Sequence, residues 1–384
     1  MMRSVFAPAS FVMALALAAC SASNDAPATS NPPAPPAPAA TTPDPGPGPA
    51  PAMAPTACDL ENAALQKGLD GAHAKTTGAV LAIRNPTCGA RTLVSGPTKI
   101  DATSLHRIGS VTKTFTASVI LSLVKEGTLG LDDKLSKWVP GVTGGDGITL
   151  RQLLDHSSGL FNYTDDTAFQ KTAPDHVFTP RELVDIGLRN PVYFAPGSSW
   201  HYSNTNFILL GMVAEAAGQA KIGVLVRTRV LDKAGLTSTF FDGEETIGGK
   251  LAPAQSAQGK DFTTILDPSW AWAAGAIVAT PGDVALWIEK VGSGTFYDAP
   301  IQKELLTTVH TDSPELGYGL GIMVFDPSIT AGAGIGIGHD GSIPGYQTQS
   351  FHFPDKKTTL VSIVDSDGDS PNDVSLAALN VLFP

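Results

Sequence analysis

Ile108-Gly109-Ser110-Val111-Thr112-Lys113 runs from the end of a short extended stretch, Leu105 to Ile108, into a long apolar helix. Its spacing sets a hydroxyl and an amine three residues apart at a helix start, so both side chains face one way. A serine alcohol is a poor nucleophile at neutral pH and needs an adjacent base. Lysine serves as that base only when burial or nearby positive charge lowers its pKa. Ser110 and Lys113 therefore read as a nucleophile and its proton acceptor. The bland alternative is a helix-capping serine followed by a solvated lysine. Ser122-Leu-Val-Lys125 repeats the spacing, but Ser122 lies near the helix end and about 120° round from Ser110.

Two further stretches suit the first. Tyr202-Ser203-Asn204 is the only Tyr-x-Asn in the chain; it follows Pro196-Gly197-Ser198-Ser199 and precedes an apolar helix from Phe207 to Ala217. His339-Asp340-Gly341-Ser342 stands between apolar runs that read as strands. In this order the elements resemble those of the serine β-lactamase and penicillin-binding D-alanyl-D-alanine carboxypeptidase superfamily, which gathers Ser-x-x-Lys, Tyr-x-Asn and a Lys- or His-x-Gly strand round one cleft. Leu153 to Leu160, Phe194-Ala195-Pro196-Gly197, Gly130-Leu131-Asp132-Asp133, Ala274-Gly275 with Thr280, and Tyr318-Gly319-Leu320-Gly321 extend the resemblance over roughly residues 60 to 383.

The resemblance implies an α+β fold of the β-lactamase/transpeptidase kind. An antiparallel sheet is flanked by helices, an all-helical subdomain spans about 131–267, and the active site lies in the cleft between them. The pattern of the chain agrees. Ala79 to Arg84 and Arg91 to Ser95 read as a hairpin, Gly319 to Phe325, Gly345 to Phe353 and Thr358 to Val364 as strands, and Asn372 to Leu382 as a closing helix.

Carried over, the resemblance makes Ser110 the nucleophile, Lys113 its proton acceptor and Tyr202 the group that passes a proton to the leaving group. Which of Lys113 and Tyr202 acts first stays open; two cationic neighbours are expected to lower the phenol pKa, so that the pair titrates as a unit. Asn204 would hold a substrate carbonyl, and Gly341 would leave room for substrate. The backbone N–H groups of Ser110 and Ser342 would form the oxyanion hole. His339 replaces the lysine usual in class C β-lactamases and offers only a partial charge to a substrate carboxylate. That favours carboxypeptidases and related esterases. His156 and His201 read as structural.

The implied reaction is acyl transfer through an ester on Ser110, on D-alanyl-D-alanine-ended peptidoglycan peptides. An esterase or weak β-lactamase is the alternative, with β-lactams as acylating ligands of the site. A non-catalytic peptidoglycan-binding module of the envelope is the rival of another class. No Gly-x-Ser-x-Gly elbow supports an α/β-hydrolase triad, and no zinc spacing occurs. The Asp365-Ser-Asp367-Gly-Asp369 run has Ser370 and Leu376 where a calcium loop has its sixth-position glycine and twelfth-position glutamate. Neither metal nor cofactor is expected.

Composition bounds the rest. The chain has 384 residues, 42% hydrophobic and 16% charged, enough for one large domain or two coupled ones, and 57–384 is read as the serine hydrolase domain that the resemblance implies. A net charge of −11 without a basic stripe speaks against nucleic acid. Residues 1–19 read as a signal peptide, and Leu17-Ala18-Ala19-Cys20 as a lipobox whose Cys20 carries lipid; an ordinary signal peptide is the alternative. Residues 20–56 read as lipidated cysteine and linker, since 12 of the 30 prolines fall in 26–56. The expectation is export to the bacterial envelope, with the membrane touched only through the anchor. Cys58 and Cys88 then remain as a disulfide pair or as two separate thiols.

Overall fold

The computed structural model describes residues 54–73, 78–97, 100–172, 175–256 and 259–384. Cys20, the leader and nearly all of the linker lie outside the described residues. Eleven strands are present among them: β1 Ala79–Asn85, β2 Gly89–Ser95, β3 His106–Arg107, β4 Thr239–Phe241, β5 Ile277–Ala279, β6 Val309–His310, β7 Leu316–Tyr318, β8 Met323–Phe325, β9 Gly336–Ile343, β10 Tyr346–Phe353 and β11 Thr358–Val364. Eight form one antiparallel sheet in the order β2-β1-β11-β10-β9-β8-β7-β6; β3, β5 and β4 make a second, small one.

Strand β1 is flanked by neighbours on both sides and covered on both faces, which is why Ala79 to Ile83 is an unbroken apolar run. One face takes the helices Ala57–Gly71 and Pro371–Leu382, with Leu65, Leu69, Val374 and Leu379 against Leu81, Ile83, Phe351 and Leu360. The other takes the helix Pro281–Gly292, with Trp287, Ile288 and Val291 beside Val80, Ala82, Val361 and Ile363. Local signals start these helices. Thr56 and Asp59 form a reciprocal capping box, and Thr280 caps the N–H of Asp283 just ahead of Pro281. A disulfide joins Cys58 to Cys88, tying the first helix to the β1–β2 turn. Closing a loop of that length contributes about 3–4 kcal/mol on the chain-entropy account.

The architecture is the expected α+β one, with two differences in detail. The stretch 131–267 is not wholly helical, because Thr239–Phe241 pairs with β5. Three residues are too few to display an alternating pattern. The expected strand Gly319 to Phe325 is instead the turn and second arm of the β7–β8 hairpin. Gly321 has φ +76° within that turn, where a Cβ would lie 2.6 Å from the Ala117 Cβ. Its N–H donates to the Leu154 carbonyl, so the turn is pinned between the helix that carries Lys113 and the loop before His156.

Candidate active site

Strand β3 delivers the chain to Gly109, where φ is +51°, and a single 3₁₀ turn, Gly109–Val111, runs on into the helix Thr112–Lys125. Ser110 stands in that turn, and Lys113 follows one turn later. The Lys113 amine is fully buried and has three oxygen partners: Ser110 Oγ at 2.9 Å, Asn204 Oδ1 at 2.8 Å and the Ala274 carbonyl at 2.8 Å. Burial drives its pKa well below the ordinary lysine value of 10.5. The Asn204 amide oxygen and the Ala274 carbonyl oxygen can only accept. A neutral amine therefore spends both hydrogens on Asn204 and Ala274 and turns its lone pair to the Ser110 hydroxyl. That is the arrangement a base for Ser110 requires.

Asn204 opens the helix Asn204–Gly218. Its N–H donates to Asn162 Oδ1 at 2.9 Å, and its Nδ2 donates to Thr164 Oγ1 at 3.3 Å. Its carboxamide thus holds Lys113, a duty the sequence reading did not give it, and has one amide hydrogen left for a substrate carbonyl. Tyr202, two residues earlier, lays its ring 4.9 Å from the Lys113 nitrogen. The phenol pKa is raised: burial is the chief cause, the neighbouring Ser110 hydroxyl draws it down and the Asp340 charge pushes it further up. The expectation of a phenol made acidic by cations is thereby corrected. Desolvation outweighs the attraction of a buried amine that is itself losing its charge. The buried Tyr202 hydroxyl has no hydrogen-bond partner of good geometry among the described residues and stands as a neutral proton donor.

Tyr202→Phe slows amide hydrolysis about 10²-fold or more, because an amine leaving group must be protonated. Hydrolysis of a p-nitrophenyl ester, whose leaving group departs as an anion, falls far less. Equal losses on both substrates in steady-state assays would remove Tyr202 from that role.

Strand β9 supplies the opposite wall. The two-residue turn Pro344-Gly345 makes Ile343 and Tyr346 a closely bonded pair, so alternate residues Gly341 and His339 bond to β10. Asp340 and Ser342 direct their backbone N–H groups the other way, toward the Ser110 turn. A Cβ on Gly341 would lie 2.0 Å from the Ile108 carbonyl oxygen, and one on Gly109 would lie 2.8 Å from Ser342 N. The task of Gly341 is thus to let the strand touch the nucleophile turn; the space expected for substrate is occupied by Ile108. This close junction sets Ser110 and Ser342 on one cleft, lined also by Tyr163, Asn204, Trp270, Ala271, Ala274 and Ile343.

His339 does not face that cleft. Its ring is fully buried, with Nδ1 2.6 Å from the Asp340 carbonyl and Nε2 2.8 Å from the Tyr318 hydroxyl. His156, also buried, accepts the Ser203 N–H at Nδ1 (3.2 Å), which leaves Nε2–H to donate to Tyr318 at 3.2 Å. Hydrogen positions then follow in one direction: His156 to Tyr318, Tyr318 to His339 Nε2, and His339 Nδ1–H to the carbonyl. Burial, followed by the charge of Lys113, lowers the His339 pKa to about 3. His339 is neutral and fully engaged, so a partial positive charge offered to a substrate carboxylate does not fit this geometry. His201 stacks on Tyr193 with ring centroids 3.9 Å apart. In the acidic run, Asp365 pairs with His106 at 2.9 Å and Asp367 accepts the Gly345 N–H at 2.7 Å.

Three contributors escaped the sequence reading. Ala274 acts through a backbone carbonyl, which no side-chain motif reports. Tyr318 stood in a recognised Tyr-Gly-Leu-Gly run, yet nothing in that run names its two histidine partners. Asp340 lay inside a quoted motif without a role.

Known proteins are similar to this chain in sequence and in structure. The family described as beta-lactamase matches residues 75–382. Penicillin-binding protein 4* of Bacillus subtilis (strain 168) is 24% identical over 307 residues, covering 73% of this chain and 65% of that protein. A D-aminopeptidase of Brucella anthropi is 25% identical over 278 residues, covering 71% and 52%. The chain thus spans about half to two thirds of the length of these curated relatives. Among solved structures, a D-stereospecific amidohydrolase from Streptomyces sp. superposes with a TM-score of 0.75 at 32% identity, covering 82% of this chain and 97% of that one. A D-amino acid amidase from Ochrobactrum anthropi SV3 gives 0.74 at 26% identity, covering 84% and 98%. With a buried lysine poised on a serine hydroxyl and a family match across most of its length, the chain belongs to the beta-lactamase family of serine hydrolases.

Proposed function

We propose that this protein hydrolyses small D-configured amino-acid amides, or peptides with a D-residue at the amino end, through an ester on Ser110. One observation carries the choice of substrate. Among the described residues lining the cleft there is no cationic side chain, and the histidine expected to supply one is neutral, buried and engaged at both ring nitrogens. A terminal carboxylate brought there would lose its hydration without gaining a counter-charge. An amide makes no such demand. The likeness to a D-stereospecific amidohydrolase and a D-amino acid amidase supports the same choice.

Lys113 takes the Ser110 proton as Oγ attacks the carbonyl carbon, and the N–H groups of Ser110 and Ser342 receive the oxyanion. Tyr202 gives its proton to the departing nitrogen and is reprotonated from Lys113. Water then attacks the ester, with the same groups returning their protons in reverse order.

D-Alanyl-D-alanine carboxypeptidase action on cell-wall peptides is the second reading, favoured by the likeness to penicillin-binding protein 4*. Lipidation at Cys20 and an envelope location belong to the proposal as well. The Cys58–Cys88 bond supports an oxidising compartment.

The test is a substrate panel: D- and L-phenylalanine amide, a diacyl peptide ending in D-Ala-D-Ala, short-chain esters and a fluorescent penicillin. The expected result is turnover of the D-amide over the L-amide, abolished in Ser110→Ala. Turnover of the carboxypeptide with inert amides overturns the choice. A Ser110→Ala protein unchanged in every activity would mean a non-catalytic binding module.

A further inference from the structure

Asp340 is a carboxylate that the mechanism above does not use. It sits on β9 between His339 and Gly341 and shares a strand face with Ser342, whose N–H borders the cleft. Directly across on β10 stands Gln349, a neutral side chain that also hydrogen-bonds Asn372. Asp340 Oδ1 is buried and has no hydrogen-bond partner. Among the described residues no lysine, arginine or histidine forms an ion pair with it.

Three other acids face a cation: Asp365 faces His106, Asp242 faces Arg107 and Asp166 faces Arg189. Asp155, buried without an ion pair, instead accepts the N–H and hydroxyl of Ser157. A buried carboxylate without a cation is costly, and native chains keep such groups rarely. The strand neighbours of Asp340 fix its place: the His339 ring centroid is 6.3 Å from that of Tyr202, and a Cβ on Gly341 would lie 3.3 Å from Ser110 N, so the carboxylate belongs to the stretch of β9 beside the reacting groups.

We infer that Asp340 is the specificity-determining residue that receives the α-ammonium of the substrate and turns away substrates carrying a negative charge there. The inference rests on the amide reading above. In an amino-acid amide the ammonium is borne by the carbon next to the reacting carbonyl. When the carbonyl oxygen lies between the N–H groups of Ser110 and Ser342, the ammonium is held beside the same stretch of β9. It brings the counter-charge that Asp340 lacks, and its N–H groups fit the orphaned oxygen. Burial holds the carboxyl up at about 7, with the Gln349 hydrogen bond drawing it down. A bound cation would favour the ionised form.

The experiment compares kcat/KM for D-phenylalanine amide and N-acetyl-D-phenylalanine amide, in the whole protein and in Asp340→Asn. Rates are normalised to active sites counted by the p-nitrophenyl acetate burst. The expected wild-type preference for the free amine is about tenfold or more, the range of a hydrogen bond to a charged group. Asp340→Asn should remove most of it, chiefly through a higher KM for the free amine; Asp340→Ser should do the same if the asparagine protein does not fold. An unchanged preference in a folded variant overturns the inference while the amide reading stands. A wild-type protein inert toward both amides overturns the amide reading, and the inference with it.

Discussion

Replacing Lys113 with alanine lowers the rate of Ser110 acylation by about 10³-fold, within the range that a positioned general base supplies. The reason lies in the three oxygens round its nitrogen. Two of them, on Asn204 and Ala274, can only accept, which commits both hydrogens of a neutral amine and leaves its lone pair for the serine. No other base touches Ser110 among the described residues; Tyr202 nearby is a phenol held above its ordinary pKa. The variant should still fold. It orphans two acceptors, at about 1–3 kcal/mol each, but it also relieves the chain of burying an amine.

The pH dependence adds a second readout. The folded pKa of Lys113 lies below its unfolded value, so between the two the unfolded chain binds more protons and stability rises with pH up to about 10.5. Alanine removes that rise. It also removes the acid limb of kcat/KM, which follows deprotonation of the amine. Stopped-flow acylation by a chromogenic ester, together with thermal melting across pH, measures both. A loss of less than tenfold in a folded variant would place the base elsewhere.

How far the sequence foretold this arrangement depends on the range of each signal. Ser110 and Lys113 are one helical turn apart, so their meeting is a local property of the chain. The Tyr202–Asn204 pair opens a helix whose apolar run is plain. Their convergence across 91 residues is not local, and only the resemblance joined them. The electrostatics were harder still. A phenol beside Lys113 and His339 reads as acidified when both neighbours are taken as cations. Yet His339 is buried and neutral, and desolvation governs all three groups. Burial depth is a sum over the whole fold, which motif spacing does not carry. The same holds for Asp340: its residue type was visible, but the absence of a counter-charge is a fact about every side chain around it. Short strands failed for a simpler reason, since Thr239–Phe241 and Leu316–Tyr318 contain too few residues to show a period of two.

Gly341→Ala should be the most damaging change of a single methyl group in the site. The added Cβ would lie 2.0 Å from the Ile108 carbonyl oxygen and 3.3 Å from Ser110 N, both backbone atoms that no rotamer change can clear. Strand β9 and the nucleophile turn must part by about 1 Å, and a displacement of that size at a reacting centre costs about 10²-fold in rate. The loss also separates the N–H of Ser342 from that of Ser110, and removing one oxyanion donor costs about 10²–10³-fold. Because the oxyanion forms with every substrate, kcat should fall on amides and esters alike, unlike the selective loss in Tyr202→Phe. A control separates this from general strain in the strand. Gly338→Ala places its Cβ 1.8 Å from the Ser350 carbonyl, a clash of similar severity directed at β10 rather than at Ser110. It should lower the melting temperature while sparing kcat per titrated active site far more than Gly341→Ala does. Equal losses of kcat per titrated site in both variants would mean that the whole strand, and not its junction with the Ser110 turn, sets the oxyanion geometry.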